Sequence, residues 1–573
     1  MRFTEYENIS APWRPYYGDI PATLDYPEGS IYDAVRAAAD RSPESVAISY
    51  MNKDWSYASL MDGIDAAARA LIKMGVRVGE RVLVCLPNTP QAVFCLYALS
   101  RIGAVGSFIH PLSAEGEIEY SLNEVGARRA IALDQSIPKF EAVWKNTSLE
   151  RVIRVTPVDE LSPIMRAAYP LTAGWGIEKP TDSRVVGWRE FLKDGANVPL
   201  PKPIGGTNDD AVVLFSGGTT GTTKGVRLTN LNLNALAVQT AAMCGRDVRG
   251  KSMLAAMPIF HGFGLGVCVH TILCVGARSI LVPRVILKEY ASLIRKKQPN
   301  YIAGVPTLYE AMSRNPFLDG VDLGCLEGVF SGGDSLPPEL KKRLDSYLAD
   351  HGAAVRVREG YGLTECVTAS CLTPITEERE GSIGIPFPDT YYKICDPKTC
   401  AELAAGEEGE ICLTGPSVMP GYLGRDDETA AALRRHSDGH TWLHTGDLGS
   451  IDKDGFLYFK QRIKRVIITS GYNVYPSQIE SALEKHPAVR LSCVIGVPDP
   501  YRMRRIKAFV TLNEGYSPSE KLGGEILDSC RKYVARYAMP REIEFRDELP
   551  TTLVGKVAYT VLEKEEADKN GEV

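Results

Sequence analysis

Residues 216–225 read Ser-Gly-Gly-Thr-Thr-Gly-Thr-Thr-Lys-Gly, and they follow an unbroken apolar run, Ala211-Val-Val-Leu-Phe215. The run predicts a buried strand. The four glycines of the decapeptide let the backbone turn its N–H groups toward an anion, because no Cβ blocks the approach. Four threonines and Ser216 add hydroxyl donors, and Lys224 adds a positive charge. A buried strand leading into such a turn is a frequent phosphate-binding arrangement in α/β proteins, and the number of donors suits a polyphosphate. The stretch is not a Walker loop, which places a hydroxyl residue directly after the lysine to reach magnesium. Here Gly225 follows Lys224, and Lys224 stands three residues beyond Gly221.

The chain around this loop has 573 residues, too many for one core, so two or more domains are expected. A hydrophobic content of 44% and a charged content of 24% are ordinary for a soluble globular protein. The net charge of −6, from 71 acidic and 65 basic residues, argues against nucleic-acid binding. An anionic ligand therefore has to be held by local geometry rather than by the overall field. None of the thirteen cysteines forms Cys-x-x-Cys, and no histidine cluster stands near the pairs Cys366/Cys371 and Cys395/Cys400, so no cysteine metal site is expected. The odd cysteine count and an N-terminus without an apolar core segment predict a reducing, cytoplasmic setting. Between Lys251 and Arg278 no charged residue occurs, a length that could span a bilayer. Pro258, His261, His270 and four glycines interrupt it, so a buried helix with a polar entrance is expected rather than a transmembrane segment. Peripheral membrane contact and oligomeric state are left open.

Apolar spacing predicts a helix from Ser30 to Ala39, with Ser30 as N-cap and Asp33 at its third position. Short apolar strands are expected at 81–86 and 129–133, with helices at 91–101 and 116–125. This alternation runs to about residue 360 and predicts an α/β domain with a largely parallel sheet. Residues 140–205 read as a surface insertion. Beyond 380, Tyr391–Cys395 and Gly409–Leu413 alternate polar and apolar residues, as half-exposed strands do. After the basic junction 460–465 comes a compact segment, with helices near 476–485 and 522–537 and strands near 492–497 and 507–512. The boundary is placed so that 1–461 form the large domain and 462–573 the small one.

Four more segments accompany the loop: Tyr361-Gly-Leu-Thr-Glu365, His444-Thr-Gly-Asp447, Arg462-Ile-Lys464 and Leu553-Val-Gly-Lys-Val557. In order and spacing they resemble the adenylate-forming superfamily of acyl-CoA synthetases, nonribosomal peptide adenylation domains and beetle luciferases. The resemblance covers the chain from about Ser30 to Leu562. It implies a large N-terminal α/β domain and a small mobile C-terminal α+β domain. It also implies ATP and CoA as co-substrates of a carboxylic acid, with Mg2+ as cofactor. Ser216, Gly217, Gly218, Thr219, Thr220, Gly221 and Lys224 would hold the β- and γ-phosphates. Glu365 would coordinate Mg2+, a hard ion that prefers oxygen. Thr364 would donate to the α-phosphate, within the nucleotide-binding stretch that also includes Tyr361 and Gly362. Asp447 would accept from the ribose hydroxyls, and Arg462 would donate to the same sugar. Gly332, Gly333 and Asp334 would border the adenine. Lys556 would be the mobile catalytic lysine that bridges the acid and the α-phosphate, and Lys464 the hinge of the small domain. His261, in Pro258-Ile-Phe-His-Gly262, matches a gate near the carboxylate and reads equally well as a satisfied core histidine.

The pattern also departs from the family. Gly217 and Thr223 stand where the common loop has serine and proline, and Gln461 replaces a usual glycine or aspartate before the arginine. The Gly-Gly-Thr-Thr-Gly variant and the Leu-Val-Gly-Lys ending resemble bacterial fatty acyl-CoA ligases, so a medium- or long-chain fatty acid is the expected substrate. No carboxylate lies within Ile259–Val267 to hold a substrate ammonium, which disfavours an amino acid. A stand-alone enzyme that loads a carrier protein is the alternative, and a non-catalytic ATP-binding regulator is a further one. Gly332-Gly-Asp-Ser335 mimics a phosphopantetheine attachment site, but Ser335 falls between the phosphate loop and Glu365, where no separate carrier domain is expected.

Overall fold

The computed structural model describes residues 1–3, 9–177, 180, 182–217, 223–469, 472–499, 503–531, 533–534, 538–552 and 556–569. Ile31–Arg41 is a helix entered through a reciprocal cap. The Asp33 N–H donates to Ser30 Oγ at 3.2 Å, and the Ser30 N–H donates to the Asp33 carboxylate at 2.8 Å. Two otherwise orphaned donors of the first turn are thereby satisfied. Strands form at Arg81–Cys85 and Arg129–Leu133, and helices at Pro90–Arg101 and Glu115–Val125, close to the expected bounds.

Two large sheets are built from the first 390 residues, and Gly421–Tyr422 adds a short strand to one of them. One has eight strands, and Asp210–Gly217 lies in it beside Val105–Phe108 as a parallel neighbour. The other has nine. Val46–Tyr50, Arg278–Leu281, Ser252–Ala255, Tyr301–Gly304, Gly328–Ser331 and Val357–Tyr361 run parallel through its centre. Parallel strands deliver their C-terminal ends to one edge, so the segments that begin at Gly332 and Gly362 emerge side by side.

The stretch 140–205 is not a surface insertion. Arg151–Val155 and Val185–Gly187 extend the eight-stranded sheet in parallel, and Trp188 is buried beneath it. The scattered Pro and Gly fall in the connections and short helices that flank these strands, with Pro163 at the start of the helix Pro163–Ala168. The segment from Lys251 to Arg278 holds the strand Ser252–Ala255 and then the expected buried helix, π-helical over Phe263–Thr271 and α-helical over Ile272–Val275. Among the described residues no helix is long and apolar enough to cross a membrane.

A third, antiparallel sheet contains Tyr391–Cys395, Gly409–Thr414, Thr441–Ile451 and Leu433–Arg435, with Leu457–Arg462 paired to Thr441–Ile451. The expectation of half-exposed strands fails here. Both Tyr391–Cys395 and Gly409–Thr414 are buried throughout, because their polar residues find partners inside. Lys393 Nζ reaches Asp438 at 2.6 Å and lies over the Trp442 ring, and Glu410 engages His444 and the Gly446 N–H.

The large apolar core ends at Leu457, and a separate cluster starts at Ile467. This second core lies under the three strands Val489–Asp499, Met503–Leu512 and Glu542–Phe545 and the helices Pro476–Leu483 and Glu520–Cys530. The second helix stops at Cys530, short of the expected span. The chain is thus a large α/β domain followed by a small α+β domain.

Candidate active site

Asp210–Gly217 does not run into a helix. It returns as the antiparallel strand Thr223–Thr229, with Ser216 opposite Lys224 and Gly217 opposite Thr223. Gly218, Thr219, Thr220 and Gly221, expected to hold phosphates, lie outside the described residues, as do Leu553, Val554 and Gly555. The two flanks of the loop are tied down. Ser216 Oγ donates to Glu365 Oε1 at 3.2 Å, and the Tyr422 hydroxyl donates to the same oxygen at 2.9 Å. Lys224 pairs with Glu428 and lies over the Tyr422 ring at 4.9 Å. Tyr422 and Glu428 are therefore parts of this corner that sequence reading missed. Tyr422 carried a faint signal, the Gly-Tyr step of a short strand, whereas Glu428 carried none.

Glu365 is 8% exposed and sits in the single turn Thr364–Cys366, with half-buried Thr364 beside it. Among the described residues its hydrogen bonds converge on Oε1, which leaves Oε2 for another partner. A buried carboxylate next to a serine hydroxyl is a hard oxygen donor set, which fits magnesium.

A second group centres on Asp447, 3% exposed. Tyr361, at the end of a parallel strand, donates its hydroxyl to Asp447 Oδ2 at 2.7 Å. Arg462 is the cross-strand partner of Asp447, with Nε 3.5 Å from Oδ1. Despite this ion pair, Oδ1 accepts no hydrogen bond among the described residues. This oxygen is therefore free to accept a hydrogen bond from a ligand. Burial raises the Asp447 pKa, and the Arg462 charge opposes that shift. Glu365 is near enough to act on both Asp447 and Arg462, so the two groups share one pocket.

Lys556 comes to this pocket from the small domain. A methyl placed on Gly333 would lie 3.6 Å from Lys556 Cε. Burial and the Arg462 charge lower the Lys556 pKa, and Asp334 and Asp447 oppose them. Gly333 holds φ at +85°, and a methyl on Gly332 would sit 3.2 Å from the Gly360 carbonyl. A methyl on Gly362 would strike the Thr368 carbonyl at 2.0 Å. These glycines let the backbone segments at the sheet edge approach closely. Asp334 faces the Lys556 side, at the junction of the two domains.

His261 lies on the same side. Its Nδ1 accepts the Phe263 N–H at 3.2 Å, and burial, with the Lys556 charge adding to it, pushes its pKa down to about 3. It is therefore a neutral imidazole at physiological pH. Lys464 is exposed in the short turn Ile463–Arg465, directly after the last strand of the third sheet. Gln461 in that strand is 1% exposed, and neither amide atom has a hydrogen-bond partner among the described residues.

Residues 35–423 match the family described as AMP-binding enzyme, and residues 478–556 match its C-terminal domain. The chain is 34% identical to a long-chain-fatty-acid–CoA ligase of Bacillus subtilis (strain 168), with 98% of this chain and 99% of that protein aligned. It is 32% identical to a feruloyl-CoA synthase of an Amycolatopsis species, over 91% of this chain and 95% of that protein. Among solved structures, the ATP-bound RpMatB-BxBclM chimera B1 superposes with a TM-score of 0.82 at 26% identity, covering 94% of this chain and 99% of the chimera.

Proposed function

This chain belongs to the AMP-binding enzyme family and is an ATP-dependent acid-activating enzyme of the acyl-CoA ligase kind, and we propose that its acid is a medium- or long-chain fatty acid. The observation that carries the reading is the approach of Lys556, from the small domain, to Gly333 at the sheet edge, within electrostatic reach of Asp447, Arg462 and Asp334. A carboxylate is a weak nucleophile, and it must approach a polyanion. In the first step its oxygen bonds to the α-phosphorus of ATP, the bond to the β-phosphate breaks, and pyrophosphate leaves. In the second, the CoA sulfur bonds to the acyl carbon, the thiol proton is given up, and AMP leaves.

Each step asks something of these residues. Lys556 would sit between the acid and the α-phosphate and offset their repulsion. Thr364 would donate to the same phosphate. Ser216, Gly217 and Lys224, with the loop between them, would hold the β- and γ-phosphates. Glu365 would hold Mg2+, which when bound supplies positive charge to the phosphates. The unpartnered Oδ1 and the Tyr361-bound Oδ2 of Asp447 would accept the ribose hydroxyls, with Arg462 beside them. Gly332, Gly333, Asp334 and Gly362 would border the base. Neutral His261 would wall the carboxylate end of the acyl site. The uncharged stretch Ile259–Val267 suits an apolar tail, and the fatty-acid ligase of Bacillus subtilis is the more similar of the two relatives compared. We place the domain boundary at 461/462, with Lys464 as the residue about which the small domain turns between the two steps.

The test is acid-dependent exchange of labelled pyrophosphate into ATP over a panel of fatty, aromatic and amino acids, with and without CoA. Exchange with C8–C18 acids and thioester formation on CoA are expected. Exchange confined to aromatic acids, or transfer only to a carrier protein, would overturn the substrate assignment.

A further inference from the structure

Away from the nucleotide pocket, the third sheet gathers a set of metal-ligating side chains. The sequence offered no sign of it, because Cys400 has no nearby histidine along the chain. The fold nevertheless brings Cys400 close to two histidines that are distant along the chain. Cys400 Sγ, His436 Nε2 and His444 Nε2 belong to a group whose ligand atoms all lie within 4.8 Å of one another. Cys400 stands at the turn after Tyr391–Cys395, His436 follows Leu433–Arg435, and His444 is in Thr441–Ile451. Two connections that follow strands of this sheet, and one of its strands, thus each contribute a ligand.

The hydrogen bonds assign the protons. His444 Nδ1 lies 2.8 Å from Glu410 Oε2, and an ionised carboxylate only accepts. A neutral His444 in this contact carries its proton on Nδ1 and presents a lone pair at Nε2. His436 Nε2 lies 2.9 Å from that atom, so it is the donor of the pair. Two imidazole nitrogens facing each other across such a gap, with a thiol beside both, make an arrangement a metal ion can occupy by replacing one proton. The carboxylate–imidazole pair behind His444 is the buttress usual for a metal-binding histidine, fixing tautomer and ring orientation. Around a tetrahedral ion with bonds of ~2.0 Å to nitrogen and ~2.3 Å to sulfur, ligand atoms stand about 3.3–3.6 Å apart, so only small side-chain shifts are needed. A second grouping, Glu410, Cys412 and His444 Nδ1, competes for the same histidine, but its Nδ1 already serves Glu410.

We propose that Cys400, His436 and His444 form a site for a borderline-soft divalent d-block cation of the Zn2+ class, with Glu410 as the outer partner of His444. One thiolate and two imidazoles select such an ion over magnesium or calcium, which take oxygen ligands. On binding, the Cys400 thiol proton passes to solvent as the metal–sulfur bond forms, and His436 moves its proton from Nε2 to Nδ1. Arg434 Nη1 donates to Cys400 Sγ at 3.3 Å in the metal-free arrangement and turns away as the ion enters. Cys400 and His436 are half-buried and His444 is 7% exposed, so entry is from the Cys400–His436 side. Glu410, the outer partner, also accepts the Gly446 N–H through its other oxygen at 2.9 Å, one residue before Asp447.

The experiment uses the full chain, stripped with a chelator and titrated with Co2+ as a spectroscopic probe. A thiolate-to-cobalt charge-transfer band that saturates at one equivalent, and is erased by Zn2+ but not by Mg2+, is expected. Cys400→Ser should remove the band, and His436→Gln should weaken Co2+ binding by at least ~10-fold. Circular dichroism of both variants checks that they fold, and should Cys400→Ser fail to do so, His436→Gln decides. No band in the parent protein, or the same band and affinity in the variants, would overturn the site. The readout does not depend on acid activation, so it stands or falls apart from the proposed reaction.

Discussion

Tyr361 and Asp447 are 86 residues apart in sequence, and their side chains meet at 2.7 Å, hydroxyl to carboxylate. This bond joins the C-terminal end of a central parallel strand of the nine-stranded sheet to the third, antiparallel sheet. It fixes one oxygen of the carboxylate and leaves the other without a hydrogen bond among the described residues. Asp447→Ala should raise the KM for ATP by about 10- to 100-fold, as expected when a charged acceptor worth ~1.5–3 kcal/mol is lost. Tyr361→Phe should raise it by less than ~10-fold, since it removes only the hydroxyl that orients the carboxylate. Steady-state kinetics at saturating acid distinguish the two; an unchanged KM in Asp447→Ala would rule out the ribose assignment.

In the proposed reaction Lys556 acts in one step of two. Lys556→Ala should slow acid-dependent pyrophosphate exchange at least ~100-fold, the loss expected for a charge partner of the transition state. Thioester formation from supplied acyl-AMP should fall far less. Equal losses in the two assays would show that the lysine does not leave between them.

The pH profile of adenylation should have an alkaline limb below the ordinary lysine value of 10.5. Burial and the Arg462 charge lower the Lys556 pKa, so the required ammonium is present below the lowered value and lost as pH rises through it. Over the same window the unfolded chain holds this proton and the folded chain does not, so Lys556 makes stability rise with pH there. On the acid side, the raised Asp447 pKa moves the loss of its carboxylate above the ordinary 3.8. His261, held neutral down to about 3, should contribute no limb between pH 5 and 8. His261→Phe should therefore change acid preference without moving either limb.

Gln461 is buried at the junction of the two domains with neither amide atom satisfied among the described residues. An unsatisfied buried polar group costs about 1–3 kcal/mol. Gln461→Leu should accordingly leave thermal stability unchanged or raise it, measured by calorimetry without ligands. If the amide finds partners when the small domain turns, the same variant should slow the thioester step more than pyrophosphate exchange. A lower melting temperature with both steps equally affected would mean that the amide is already satisfied here.

Gly362→Ala should be strongly destabilising. The added methyl would meet a backbone carbonyl at 2.0 Å, and backbone cannot swing aside as a side chain can. A loss of about 2–4 kcal/mol is expected from such overpacking, or a chain that does not accumulate. Gly116→Ala, which meets nothing within 4 Å, is the control on a helix. Urea unfolding of the two variants separates these outcomes.

Much of this molecule was legible in its letters. The Ser30–Asp33 cap, the strands at 81–85 and 129–133 and the small domain's helix at 476 are set by neighbours a few residues away, and local spacing reports them. Motif order was equally plain, because it is a property of the chain. Partners were not. The return of the glycine loop as a strand, the Tyr422 hydroxyl on Glu365, the Glu428–Lys224 pair, the burial of Tyr391–Cys395 and Gly409–Thr414, and the meeting of Cys400 with His436 and His444 come from segments distant in sequence. Parallel strands carry remote segments to a common edge, and paired polar side chains can be buried where periodicity predicts solvent. Which groups become neighbours, and hence which charges and protons they hold, was decided by that long-range pairing.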